Sequence, residues 1–267
     1  MVSADVEILT RICSRVHRTI RRELTSPHRA DLVAMGAYGT PTEALDRAAE
    51  GRLVEALEAE GVGWNVVSEE AGRIARGGDR TLVVDPVDGS HNALRGLGLS
   101  TISLALGNQD LDGVTVGMIH DLATGSTFWA EKGGGAFRDG RRIRTRSWDP
   151  RSEMFFINLG RHSTARATAL ASRGRRVRSL GCASLEIALV AQGGADAYFF
   201  DNENENGNLR VTDIAAGFRI LAEAGGGLTD SHGGPLGGMP LAPGPRTSVF
   251  AWGDPEFARR AKDERYL

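Results

Sequence analysis

Apolar positions recur at intervals of three and four near the start of the chain. Val6, Leu9, Ile12, Cys13, Val16, Ile20 and Leu24 form one stripe, which predicts an amphipathic helix. Pro27 and the segment Met35-Gly36-Ala37-Tyr38-Gly39-Thr40-Pro41 interrupt that pattern and predict a mobile loop. Thr42 reads as the N-cap of a second helix that reaches about Glu60, with Leu45, Ala49, Leu53 and Leu57 as its apolar edge and Asp46 in its first turns. The pattern then becomes β-like. Trp64–Ser68 and Leu82–Val84 read as strands, each with carboxylates at its C-terminal end: Glu69-Glu70 after the first, Asp85 and Asp88 after the second. Ser100–Leu106, Val114–Ile119 and Ser126–Ala130 continue the β-like runs up to a turn at Gly133-Gly134-Gly135.

Beyond Pro150 strands and helices alternate. Phe155–Leu159, Ala197–Phe200 and Ser248–Trp252 read as strands. Thr164–Ser172, Ala183–Ala191, Asp213–Ala224 and a short C-terminal segment read as helices. This order predicts an α+β layered sandwich. A boundary near 147–152 would divide it into an N-terminal half, residues 1–150, and a C-terminal half, residues 151–267.

Composition narrows the picture. Hydrophobic residues make up 41% of the 267 and charged residues 25%, which excludes wholesale disorder. A net charge of -2 argues against a broad basic surface for a nucleic-acid polymer. Cys13 and Cys182 are too few and too distant for a disulfide framework or a zinc site, and fit a reduced, cytoplasmic setting. Asp5, Glu7 and Arg11 interrupt the N-terminal apolar residues, so no signal peptide is expected. No run approaches the roughly 18 apolar residues of a membrane span.

The candidate chemistry lies in Asp85-Pro86-Val87-Asp88-Gly89-Ser90. Two carboxylates at a strand end offer oxygen ligands to a hard divalent cation, and the Gly-Ser that follows can turn backbone N–H groups toward phosphate. Asp46, Glu69 and Asp213 also stand at element ends. Five acids converge only if something offsets their repulsion, and Mg²⁺ is the natural agent. Each acid also has a plainer reading: Asp46 as a helix-start acid, Glu69-Glu70 as a solvent-facing strand end, Asp213 as a helix N-cap, Asp85 and Asp88 as turn residues. The joint pattern shifts the weight toward a metal site and phosphoryl chemistry.

Asp85-Pro86-Val87-Asp88-Gly89-Ser90-His91-Asn92 resembles the signature of the inositol monophosphatase-like, metal-dependent, lithium-sensitive sugar phosphatases. Val67-Ser68-Glu69-Glu70, Gly193–Tyr198, Thr212–Gly217 and Glu223–Gly226 are similar to further elements of that family, in the family order. The resemblance implies an αβαβα layered sandwich and a metal-dependent phosphatase using two to three Mg²⁺ ions, with Mn²⁺ as a substitute. It implies that Glu69, Asp85 and the Val87 carbonyl hold a first ion, and that Asp85, Asp88 and Asp213 hold a second. Asp46 and Ser90 would position and deprotonate the attacking water, with a third ion near Asp46 or Glu69, which also counts among the catalytic residues. The Gly89 and Ser90 amides would bind phosphate. Asp88, Gly181, Cys182 and Ala183 would meet the rest of the substrate, with Cys182 as pocket wall.

Three departures from the family pattern stand out: Ala93 and Thr212 replace bulkier residues, and Tyr38 replaces an acid, which predicts weaker third-metal binding. The loop before Thr42 and the run Leu209–Asp213 look like the archaeal-type branch, which implies a phosphorylated cyclitol or sugar as substrate: myo-inositol 1-phosphate, fructose 1,6-bisphosphate, or both. Arg161, Arg166, Arg173, Arg175 and Arg178 lie where a second phosphate would be read, since guanidinium forks suit oxygen pairs. Each also reads as a solvated helix-face residue, and for any one of them that reading weighs more. Asp201 is a candidate for substrate hydroxyls within an exposed hairpin, Asp201–Gly207. The alternatives are a 3′-phosphoadenosine 5′-phosphate phosphatase and a catalytically silent regulatory homologue. The family implies a homodimer.

Overall fold

A computed structural model of the chain describes residues 2–37, 41–204 and 208–263, without the side chains of Lys262 and Asp263. The chain begins with α1 (Ala4–Glu23), the hairpin strands β1 (Leu32–Met35) and β2 (Pro41–Glu43), and α2 (Ala44–Ala59). A run of strands follows: β3 (Asn65–Ser68), β4 (Gly72–Ile74) and β5 (Thr81–Asp88), then, after the short helix α3 (Ser90–Leu94), β6 (Thr101–Gly107), β7 (Val114–Asp121), β8 (Thr127–Glu131), β9 (Gly135–Arg138) and β10 (Arg141–Ile143). The later elements are β11 (Phe155–Ile157), α4 (Ala165–Arg173), β12 (Val177–Arg178), α5 (Ala183–Ala191), β13 (Ala197–Phe200), β14 (Leu209–Arg210), α6 (Val211–Ala224), β15 (Gly227–Thr229), β16 (Arg246–Thr247), β17 (Val249–Trp252) and α7 (Pro255–Asp263).

Period-two alternation along the strands explains the layering. The large sheet has eight strands in the order β10-β9-β8-β7-β6-β5-β3-β4. On β5, Leu82 and Val84 point into a core shared with Leu9, Val16, Leu45 and Leu53 of α1 and α2. Val83 points the other way, toward Ile187 of α5 and Ile214 and Ile220 of α6. That second core continues into Tyr198, Val249 and Ala251 of a five-stranded sheet ordered β12-β11-β13-β17-β15. The far face of the smaller sheet, with Phe155, Phe199 and Phe250, packs on Leu170 of α4 and Phe257 of α7. The layers therefore run αβαβα, as the family resemblance implies. Leu9, Ile12, Leu45 and Leu53 are wholly buried, and each such side chain stabilises the fold by roughly 1.5–3 kcal/mol.

Two expectations need correction. Thr42 does not cap α2: the N-cap is Glu43, without a side-chain cap bond, and Thr42 is a β2 residue whose hydroxyl donates to Glu70. The expected loop is also narrower than Met35–Pro41, because Met35 and Pro41 pair as residues of β1 and β2. The loop residues Tyr38, Gly39 and Thr40, including the Tyr38 departure, lie outside the described residues, as do 205–207 of the expected hairpin. None of the helices among the described residues is long and apolar enough to cross a membrane.

Candidate active site

Strand register brings the acids together. β3 and β5 run parallel, with Ser68 beside Val84, so the residues that follow this pair emerge at the same end of the sheet. Those residues are Glu69 and Asp85. β5 then departs from its antiparallel partner: Asp85 pairs with Ser103 and Asp88 with Thr101, with a register shift between them. Pro86 lies inside that shift, where it has no N–H to give to the ladder. The irregularity turns the Asp85–Asp88 segment out of the plain strand, as bulges do beside functional sites. Asp85 folds back so that its Oδ1 accepts the Val87 N–H at 3.0 Å.

The third acid comes from α6. Asp213 lies in its first turn, and its Oδ2 accepts the Arg210 N–H at 2.7 Å. One carboxylate oxygen from each of Glu69, Asp85 and Asp213 lies within 4.8 Å of the others. Asp88 is buried at the end of β5, and its Oδ2 accepts from the Ser184 N–H at 2.7 Å. The guanidinium of Arg210 ion-pairs with Glu69 at the edge of the cluster.

Two chambers meet at this cluster and share Glu69, Asp85, Val87 and Ser90. One, of about 300 Å³, carries Asp46, Glu43 and Glu70. The other, of about 230 Å³, is lined by Asp88, Gly89, Gly181, Cys182, Ala183 and Asp213, with Glu186, Asn158 and Tyr198. Gly89 joins them at φ +79°, and a Cβ there would come 2.7 Å from the Leu99 carbonyl and 3.2 Å from the Cys182 Cβ. Only glycine fits that turn.

Burial dominates the electrostatics. Asp85 is held well above the ordinary carboxylate range by desolvation and then by the Asp88 and Asp213 charges. Asp213 is pushed up to about 6 by burial and then by Asp88. Asp46 is pushed up to about 7 by burial and then by Glu70 and Glu43. Asp88 is raised by burial, while the Ser184 hydrogen bonds pull the other way. A group of buried acids that resist ionisation, converging on one point through hard oxygen atoms, is the donor set a divalent cation such as Mg²⁺ prefers. The residues present fit such an ion. Cys182 is buried and its thiol is pushed well above its usual value, so it offers no thiolate nucleophile.

Of the residues expected from the sequence, Asp46, Glu69, Asp85, Val87, Asp88, Gly89, Ser90, Gly181, Cys182, Ala183 and Asp213 all line one chamber or both. Arg178 and Asp201 line neither. Arg178 is exposed on β12 and donates to the Val177 carbonyl. Asp201 is buried in another network, where its oxygens accept from Thr164 and Ser231 and Arg166 stands 3.7 Å away. Sequence reasoning missed Ser184, Glu186 and Glu50. Glu186 accepts the Leu180 N–H at 2.9 Å beside the Gly181 turn, and burial pushes it up to about 8. Glu50 of α2 accepts from the Ser68 hydroxyl and from the Ala71 N–H, bracing the turn that carries Glu69 and Glu70. Asn92, the last residue of the signature, donates to the Leu99 and Leu180 carbonyls at 2.9 and 2.8 Å.

The model of the inositol monophosphatase family matches residues 2–259. The chain belongs to the inositol monophosphatase family. It is accordingly a phosphatase of a metal-dependent family. Among its relatives is the fructose-1,6-bisphosphatase/inositol-1-monophosphatase of Methanothermobacter thermautotrophicus, 36% identical over 94% of this chain and 92% of that protein. Another is the bifunctional NADP phosphatase/NAD kinase of Methanococcus maripaludis, 31% identical over 85% of this chain but 44% of that longer protein. A solved inositol monophosphatase–fructose 1,6-bisphosphatase superposes with a TM-score of 0.81 at 26% identity, covering all of both chains. The solved inositol monophosphatase–fructose 1,6-bisphosphatase thus shares the layered fold of this chain.

Proposed function

We propose that this phosphatase hydrolyses small phosphorylated polyols, myo-inositol 1-phosphate and fructose 1,6-bisphosphate, with Mg²⁺ as its metal. The observation that carries the proposal is the convergence of Glu69, Asp85 and Asp213 within 4.8 Å at the mouth of a second, substrate-sized chamber. On this reading Glu69, Asp85 and the Val87 carbonyl would hold one ion, and Asp85, Asp88 and Asp213 would hold a second. When bound, Mg²⁺ supplies positive charge that polarises the phosphate and acidifies water.

The chain's own groups do the rest. The Gly89 and Ser90 amides bind phosphate oxygens at the glycine turn. The Ser90 hydroxyl orients the attacking water, and Asp46 accepts its proton. Burial and the neighbouring Glu70 and Glu43 charges raise the Asp46 carboxyl, which makes it a better proton acceptor. Gly181, Cys182 and Ala183 form the wall against the polyol, held in place by Asn92 and Glu186. Residues 1–150 thus supply most of the metal ligands, and residues 151–267 supply the substrate wall and Asp213.

A nucleotide phosphomonoester is the second reading, supported by the relative named for NADP phosphatase activity. One screen separates the two. Phosphate release is measured on inositol 1-phosphate, fructose 1,6-bisphosphate, NADP and 3′-phosphoadenosine 5′-phosphate, with Mg²⁺ or Mn²⁺ and with and without Li⁺. Release from the polyol phosphates, inhibited by Li⁺, is expected. Turnover confined to the nucleotides would replace the first reading by the second, and no release from any of them would favour a silent homologue.

A further inference from the structure

A groove of about 610 Å³ lies between α1 and α2, formed by residues other than those of the two chambers. Its walls carry Arg15, Arg18 and Arg22 of α1 and Arg52 of α2, and Glu55 is the acid among them. The whole chain has a net charge of -2, yet this groove gathers four guanidiniums against one carboxylate. The three α1 arginines recur at three- and four-residue spacing, which sets them on one helix face with neighbours about 5–6 Å apart at Cβ. That spacing suits adjacent phosphate groups, which planar guanidinium forks bind through paired oxygens.

Two of these arginines, Arg22 and Arg52, have partners that compete weakly. Arg15 stands 3.3 Å from Glu60, Arg22 3.3 Å from Glu23, and Arg52 2.7 Å from Glu55. The Arg22–Glu23 and Arg52–Glu55 pairs each have an exposed member and are weak, so an incoming dianion can redirect those guanidiniums.

Gly51, on the α2 wall of the groove, supplies an independent observation. Gly51 sits in the middle of α2, and a Cβ built there meets nothing within 4 Å. Glycine in a helix interior is destabilising relative to alanine, and packing does not demand it here. Its effect is to leave that part of the wall without a side chain. The exposed large hydrophobics Val2, Leu32, Val33, Met35, Leu97 and Leu159 all lie outside the groove lining, so it lacks the apolar rim of a bilayer-docking surface.

We propose that the α1–α2 groove binds a diffusible anion bearing two adjacent phosphates, at a site separate from the catalytic cleft. The α2 wall of the groove belongs to the helix that carries Asp46 in its first turn and Glu50 against Ser68. A ligand held by Arg52 therefore bears on a helix that shapes the cleft.

The test is calorimetric titration of the full-length chain with inorganic diphosphate in EDTA at low salt. EDTA removes the metal through which the cleft would hold phosphate, and the groove variants assign the binding to the groove. Saturable binding at one site per chain is expected, with a Kd below about 1 mM. Arg18→Ala together with Arg22→Ala is expected to weaken it by about tenfold or more, as loss of charge-assisted phosphate bonds predicts. Gly51→Glu puts a carboxylate on the α2 wall while replacing glycine by a better helix former, so it is expected to abolish binding without lowering Tm. Both variants are expected to retain Mg²⁺-dependent phosphate release. Absence of saturable binding to the wild-type chain, or equal affinity in the wild type and either variant, overturns the proposal.

Discussion

The Oδ2 atom of Asp88 accepts two hydrogen bonds from Ser184, one from its N–H at 2.7 Å and one from its hydroxyl at 2.5 Å. This pair ties the end of β5 to the first turn of α5, 96 residues along the chain. The Ser184 hydroxyl also lies 2.6 Å from Thr101 Oγ1, so the serine is fixed from both sides. Ser184→Ala leaves one of the two bonds to a buried carboxylate unmade. A stability loss of about 1–3 kcal/mol is expected from thermal or urea unfolding. Because the bond orients a proposed metal ligand, Mg²⁺ affinity should also fall by about 10–100-fold. Unchanged affinity would mean that Asp88 needs no support from α5.

The pH dependence of the metal-free chain follows from the raised carboxyls. Asp46, Asp213 and Glu186 stand near 7, 6 and 8 when folded. In the unfolded chain they return to about 4. Between those values the folded state binds more protons than the unfolded state, so stability falls as pH rises. His17 and His120 act in the opposite sense at lower pH. They pack Nδ1 to Nε2 at 2.8 Å, and burial is the first cause that lowers both, His120 to about 4. Their contribution is lost as pH falls from about 6.5 toward 4. The window above pH 6.5 therefore isolates the acids. In EDTA, Tm should decline from pH 6.5 to 8, Asp46→Asn should reduce that slope, and Mg²⁺ should restore the most stability at pH 8. A flat profile in the wild-type chain would contradict the buried-acid account.

Glu186 separates shape from charge. Near neutral pH its carboxyl is largely protonated, so glutamine is a close substitute that still accepts the Leu180 N–H. Glu186→Gln is expected to leave kcat/KM within about twofold, whereas Glu186→Ala strands the amide and loosens the Gly181 turn at a cost of about 1–3 kcal/mol. The loss in Glu186→Ala should fall mainly on KM, since the turn faces the polyol. Equal and large losses in both variants would point to a required carboxylate charge.

The turn at Gly89 is sterically closed. Gly89→Ala adds a methyl 2.7 Å from the Leu99 carbonyl in a left-handed conformation. The backbone strain alone is about 1–2 kcal/mol, and displacement of the Ser90 amide should reduce phosphate release by about tenfold or more. Wild-type activity in the folded variant would exclude this turn as the phosphate seat.

The legible parts of the molecule were those governed by local periodicity. The α1 stripe from Val6 to Ile20 is the buried face of the first helix, and Ala183–Ala191 is α5 to the residue. The acidic signature was legible because its residues are close in sequence or stand at strand ends. β1 and β2 were hidden because each is only three or four residues long and their pairing spans a Gly-containing segment. Ser184, Glu186 and Glu50 were hidden for another reason. Their roles depend on partners brought close by the fold, and a serine or glutamate within a helix carries no local sign of them. Asp201 shows the converse: an acid in a polar run looks available for ligands until Thr164 and Ser231 are seen to occupy its oxygens.

The central claim is that Glu69, Asp85 and Asp213 act together through bound metal. Asp213→Asn tests it most directly, because asparagine keeps the side chain's shape and its acceptor for the Arg210 N–H while removing the charge. Phosphate release from inositol 1-phosphate is measured for both proteins across a Mg²⁺ titration, with Tm as a control for folding. A folded variant is expected whose turnover is reduced by about 100-fold or more, in line with the several kcal/mol that metal-centred charge stabilisation supplies. Unchanged turnover in Asp213→Asn would contradict the claim.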